Sequence, residues 1–321
     1  MGKLKIVILS ALLISTLFYS CSEKKVTDNG GIIPEPLIKT QTTPTTNNLY
    51  GIYFVNAAVG WAVGDYGTII HTTDSGNTWN AINIFGSNFK DVYFINETNG
   101  WIIGYHGIIL STTDGGQNWD LIPYSSINDI YSVCFSDIQN GVIAGNNLIY
   151  ASDDGGAIWA YKSNSLVASD VCYVNNNIYV VGMGGRIMIS SNDGGNFEEG
   201  AVLSPNPLMG VASPDGQHCW TVGVGGHIRT TTDYGATWSE QDSKTDYVLR
   251  NIDFFDNQTG IAVGDYGTIR STLNGGTTWF TEESPLVITM RDISFPDRNH
   301  AWVACDDGII VKINAGLLGR D

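Results

Sequence analysis

The chain has 321 residues, 32 of them Asp or Glu against 16 Lys or Arg, for a formal charge of −16. A surface this acidic repels nucleic acid and anionic lipid, which excludes partners bound through a phosphate backbone. No segment beyond the N-terminal leader carries a convincing 3.6-residue apolar period, so the fold is read as all-β, built from short strands and Gly turns.

At the start of the chain, Lys3 and Lys5 precede an apolar run from Ile6 through Tyr19, followed by Ser20 and Cys21. This pattern predicts a secretory signal over residues 1–20, rather short for a membrane span. The FYSC sequence resembles a bacterial lipobox, with Phe18 where Leu is usual, and implies an exported chain lipid-anchored through Cys21 in the cell envelope. Removing the signal takes away two lysines and no acid, leaving about −18, so membrane attachment is expected through the lipid alone. Residues 21–30 are polar and Gly-ended and read as a flexible tether. Residues 31–46 contain the β-prone fragment LIKTQTT between prolines.

From residue 47 onward one eight-residue phrase returns six times: TTDSGNTW, TTDGGQNW, SDDGGAIW, SSNDGGNF, TTDYGATW and TLNGGTTW. Its acid or amide is Asp74, Asp114, Asp154, Asn192, Asp233 and Asn274, at steps of 40, 40, 38, 41 and 41 residues. One more step of 40 reaches Asn314 in a decayed KINAG. A period near 40 built from short strands is the signature of a propeller blade, and residues 47–321 predict a seven-bladed β-propeller. The second unit divides into FKDVYFIN, ETNGWIIGY, HGIILSTTD and GGQNWDLI, a four-stranded meander. The seventh unit stops soon after Gly316 and lacks an outer strand, so Leu37 to Thr43 is expected to complete it and close the ring.

The phrase resembles the Asp-box (BNR) repeat. Its acid can bond backbone N–H groups two or three positions on, its Gly supplies positive φ, and its aromatic folds back over the turn. The six Asp or Asn residues therefore read as structural staples. All nine tryptophans fall at two repeat positions: Trp79, Trp119, Trp159, Trp238 and Trp279 close boxes, while Trp61, Trp101, Trp220 and Trp302 start second strands. They read as packing elements. Cys134, Cys172, Cys219 and Cys305 have no metal-ligand spacing and read as free buried thiols. No metal or cofactor is expected.

The residue opening each innermost strand is Tyr50, Lys90, Tyr131, Ser169, Met209, Arg250 and Arg291 in blades one to seven. Because blade seven adjoins blade one, Arg250, Arg291, Tyr50, Lys90 and Tyr131 form a continuous cationic and phenolic arc at the channel mouth. Two readings stand: the arc balances Asp91, Asp253 and Asp292, or it binds a partner. Arg229 and Arg270 share a mid-strand slot in blades five and six, where each needs a carboxylate or carbonyl partner or lines a cleft. Tyr66 and Tyr266 stand in the loops between strands two and three and are secondary binding candidates.

The sequence GWAVGDYGTIIHTTDSGNTW, echoed as GIAVGDYGTIRSTLNGGTTW, is similar to the photosystem II stability and assembly factor family of Asp-box propellers. The resemblance implies a noncatalytic scaffold that holds a partner protein, with an arginine-rich patch implicated. Arg229 and Arg270 stand one position before the family's basic residue, where this chain has His71, Thr230 and Ser271. A second Asp-box group, the sialidases, implies an exported glycosidase and needs three arginines around a carboxylate plus a tyrosine nucleophile. Arg229, Arg270 and Arg291 with Tyr266 are the nearest mimic, and no FRIP opening is present. The expected partner is an envelope protein or acidic peptide segment. An acidic glycan on the same arc is the alternative.

Overall fold

The computed structural model describes residues 36–83, 86–123 and 128–319. The expected signal, Cys21 and the tether over 21–30 lie outside the described residues. The strands form seven four-stranded antiparallel sheets arranged as a propeller. In blade one, Leu49–Phe54 pairs with Gly60–Gly64, then Thr68–Thr72, then Asn80–Asn83. Blades two to six repeat this order, beginning at Phe89, Ile130, Ala168, Leu208 and Leu249. Every residue of second strands such as Gly60–Gly64 and Gly260–Gly264 is buried, as strands sandwiched between neighbouring blades require.

Blade seven consists of Met290–Asp297, His300–Cys305 and Ile310–Asn314, completed by Ile38–Gln41. The expected closing strand is therefore present, with Ile38 opposite Ile313 and Gln41 opposite Ile310. Thr43 Oγ1 extends the seam by donating to the Gly308 carbonyl at 2.6 Å. Gln41 also reaches blade one: its Nε2 donates to the Ser75 carbonyl at 3.0 Å and its Oε1 accepts from the Trp79 indole at 3.3 Å. Gln241 makes the equivalent pair with Gly275 and Trp279.

Each box is a staple, with one difference from expectation. The box hydroxyl, not the acid, binds the glycine: Thr72 Oγ1 accepts from the Gly76 amide at 2.9 Å and donates to Asp74 at 2.9 Å. The acid reaches four positions on, where Asp74 accepts from the Thr78 amide at 2.8 Å. The same geometry recurs at Asp114, Asp154, Asn192, Asp233 and Asn274. In blade seven Ile313, opposite Ala301, stands where that hydroxyl would be, so the KINAG turn has no staple.

The tryptophans join the blades. Trp61, Trp101, Trp220 and Trp302 stack on Phe94, Phe135, Phe254 and Phe54 of the following blade, with centroids 3.5 to 3.9 Å apart. The opposite phenyl edge meets that blade's box tryptophan, as where Phe54 meets Trp79 at 85°. Three of the four stacked indoles donate to the next box, Trp101 to the Gly155 carbonyl at 3.1 Å. Trp101→Ala removes both contacts at a site 3 % exposed and is expected to cost about 3–5 kcal/mol, read from chemical denaturation midpoints.

Candidate functional site

In every blade the inner strand carries a β-bulge at one place. Register breaks between Leu49 and Gly51, Phe89 and Asp91, Ile130 and Ser132, Ala168 and Asp170, Leu208 and Gly210, Leu249 and Asn251, and Met290 and Asp292. The extruded residue is the rim slot itself. A bulge upsets the two-residue alternation of side chains, so a rim residue and its successor can face the same cavity. Lys90 and Asp91, Ser169 and Asp170, Arg250 and Asn251, and Arg291 and Asp292 do so. The sequence alignment finds this slot, but nothing in residue type announces the bulge.

All five residues of the predicted arc line one cavity of about 370 Å³ at the channel mouth, together with Tyr105, Ser169, Met183 and Met209. Their partners differ from those expected. Arg250 forks onto Asp265, Nε to Oδ1 at 2.5 Å and Nη2 to Oδ2 at 3.2 Å. Arg291 Nε donates to Asp306, and its guanidinium lies 4.7 Å from the Tyr50 ring centroid. The Tyr50 hydroxyl donates to Asp65 at 3.2 Å. These acids start the strand two-to-three loop of the same blade, fifteen residues on from the rim residue. Asp91, Asp253 and Asp292, the partners named by the charge-balance reading, are engaged elsewhere. The tight-turn conformation belongs to the next residue, Tyr66, Tyr266 or Asp307, at φ of 56–57°.

Lys90 Nζ lies 3.6 Å from the Tyr50 centroid and 4.5 Å from that of Tyr105, and Tyr105 meets Tyr131 edge-on at 6.5 Å. Among the described residues no carboxylate lies within ion-pair distance of Lys90. Burial and the neighbouring Asp65 raise the Tyr50 phenol, and burial followed by Asp129 raises that of Tyr131, so both stay neutral donors.

Below the rim runs a belt of polar side chains bridging adjacent inner strands. Asp91 accepts from the Val133 amide at 2.9 Å, Asp170 from Val211 at 2.9 Å and Asp292 from Ile52 at 2.7 Å. Ser132 links Asp91 to Asp170, at 3.1 and 2.8 Å. Asn251 holds this layer in blade six, where it donates to Asp292 at 2.5 Å, and Gly51 and Gly210 occupy it in blades one and five, where an added Cβ would come within 2.8 Å of the neighbouring strand's Cα. Deeper still, Asp253 accepts from the Phe295 amide at 2.8 Å, while the four cysteines remain free thiols. Burial drives the Cys134 thiol up to about 12.

The secondary candidates do not join the mouth cavity. Arg270 is 8 % exposed and donates to the carbonyls of Ser243, Ile269 and Lys244. Arg229 donates to the Leu203 carbonyl at 2.9 Å and pairs with Glu240 at 3.1 Å. Both hold the linker entering their own blade, so Arg229, Arg270 and Arg291 do not form a three-arginine cluster. Tyr66 and Tyr266 are 77 % and 64 % exposed at loop tips, and Tyr266 packs on Tyr247 at 5.0 Å.

A ring of four-stranded blades with Asp-box turns, a stapled channel and a bulged, basic mouth defines an Asp-box β-propeller. Residues 36–128 match the family model described as photosynthesis system II assembly factor YCF48. Over those residues the chain is similar to the photosystem II assembly factor family, and over most of its length it shares the β-propeller fold of the solved structures below. A solved structure described as YCF48 bound to D1 peptide is 20% identical, with a TM-score of 0.75 over 88% of this chain and 98% of its own. YCF48 from Cyanidioschyzon merolae is 21% identical, with a TM-score of 0.72 over 88% and 99%. The GH74 xyloglucanase from Xanthomonas campestris shares the propeller fold at 13% identity and a TM-score of 0.70, over 88% of this chain and 54% of its own. No curated protein matches the chain in sequence.

Burial lifts Asp170 and Asp253 to about 6 and Asp91 to about 7, against the amides that pull the other way. A folded pKa above the unfolded value near 4 means that the folded state keeps protons that the unfolded chain has released. Their stabilisation is full below about pH 4 and is lost as pH rises toward 7. Asp170→Asn removes one such group, and its stability, measured by denaturation at a series of pH values, is expected to fall less steeply between pH 4 and 6 than that of the native protein.

Proposed function

We propose that this propeller is a noncatalytic protein-interaction module, held in the bacterial cell envelope by lipid on Cys21, that takes a segment of a partner protein at its channel mouth during assembly. The observation that carries this reading is the convergence of five bulged rim residues, three cationic and two phenolic, on one cavity in a chain of charge −16. A repeat needs no basic residues at this slot, since Ser169 and Met209 fill it in blades four and five. The cavity volume suits a short peptide stretch or one anchoring side chain better than a whole domain. The related structure described as YCF48 bound to D1 peptide supports peptide capture as a use of this fold. The acids in the mouth favour binding over acid–base chemistry, because Asp91, Asp170 and Asp292 are all committed to backbone amides.

Two measurements test the proposal. Crosslinked capture from the envelope fraction should recover a specific protein with the native propeller and lose it with Met209→Trp, which fills the cavity, at matched melting temperatures. Equal recovery would remove the mouth as the partner site. Cys21→Ala should move the protein from the membrane pellet to the soluble fraction, and an unchanged distribution would overturn the lipid anchor.

A further inference from the structure

We propose that the mouth reads a single negative charge through Lys90, and that its ligand is a protein segment carrying one carboxylate beside an apolar side chain. This rests on the peptide-binding reading above and assigns its specificity.

The three rim cations are not equivalent. Arg250 has already spent its fork on Asp265, and Arg291 is tied to Asp306 while stacked on Tyr50. A ligand carboxylate would have to compete with a resident one at either arginine. Among the described residues Lys90 faces only ring faces, Tyr50 from blade one and Tyr105 from its own loop. A π face attracts the ammonium charge but gives its three N–H donors no oxygen acceptor. The acids nearest in the fold are occupied: Asp91 by the amides of Val92 and Val133 and by Ser132, Asp65 by Tyr50 and Asn48, and Asp129 by the His106 amide. An incoming carboxylate can therefore add charge-assisted hydrogen bonds at Lys90 without displacing a partner.

The rest of the cavity limits what can accompany that carboxylate. Blades four and five present Met183, Met209, Val167 and Ala168, and Met183 is 48 % exposed. Directly below lie Asp91, Asp170 and Asp292. Further carboxylates on the ligand would approach this acidic belt with no unpaired cation to receive them, whereas an apolar side chain gains the methionine wall. The acidic peptide segment expected from the sequence is thereby narrowed to one that carries a single carboxylate.

The test is calorimetry with three capped hexapeptides, bearing one glutamate between leucines, glutamine in its place, or three glutamates. The one-glutamate peptide should bind the native protein at least 10-fold more tightly than the glutamine peptide and more tightly than the three-glutamate peptide. With Lys90→Gln, affinity should fall at least 10-fold and the glutamate-over-glutamine preference should vanish, while Lys90→Arg restores it. Melting temperatures check that each variant is folded. A preference that survives Lys90→Gln, a larger loss from Arg250→Gln than from Lys90→Gln, or tightest binding of the three-glutamate peptide overturns the assignment and leaves peptide capture standing. Failure of the native protein to bind any of the three overturns both.

Discussion

The innermost strand of a propeller blade has a hydrogen-bonding neighbour on one side only, and its free edge must find acceptors or leave amides unpaired. Here the preceding blade supplies them from side chains. Asp292 receives the Ile52 amide, Ser294 that of Phe54, Asp91 that of Val133, Asp170 that of Val211 and Asp253 that of Phe295. These bonds tie blade seven to one, two to three, four to five and six to seven at the axis, where the tryptophan stacks cannot reach. They also place four carboxylates in a narrow, poorly solvated channel, and this fixes the electrostatics of everything above it. With those acids committed to amides, the rim bases draw their counterions from the loops, at Asp265 and Asp306.

Much of this architecture was legible from one sequence because a repeat is its own alignment. The 40-residue period yields the blade count, the box staples, the packing role of the tryptophans and the missing outer strand that Ile38–Gln41 supplies. The rim slot could be read for the same reason. The partners of its residues could not, because a residue and its loop acid are fifteen apart and meet only after a hairpin whose register is displaced by the bulge. Asp65, Asp265 and Asp306 look like turn formers, whereas the left-handed residue in each loop is the next one along. Mid-strand guanidinium groups such as those of Arg229 and Arg270 need carbonyl or carboxylate partners or a cleft, yet their direction, toward the linkers and away from the cavity, depends on side-chain geometry that spacing does not encode.

Repetition also shows where selection of residue type departs from the needs of the fold. Gly184 and Gly225 hold positive φ in two of the strand two-to-three loops, while Tyr66, His106 and Tyr266 hold nearly the same angle at a conformational cost glycine avoids. The costlier residues stand in blades one, two and six, around the cationic side of the mouth. The side facing Met183 and Met209 is built from the least demanding residues. The ring is therefore uniform as a scaffold and polarised as a surface.

The closing seam joins Thr43 to Gly308, 265 residues apart in the chain. A ribosome adding about 5–20 residues per second would deliver the second on the order of 15–50 s after the first. Throughout that interval the strand Ile38–Gln41 has no sheet to join, and a chain that ends before Ile310 never offers it one. The seam thus registers whether synthesis has passed the seventh blade: only a product that includes Ile310–Asn314 can hide Ile38–Gln41, and one cut short before it displays that strand to proteases and chaperones.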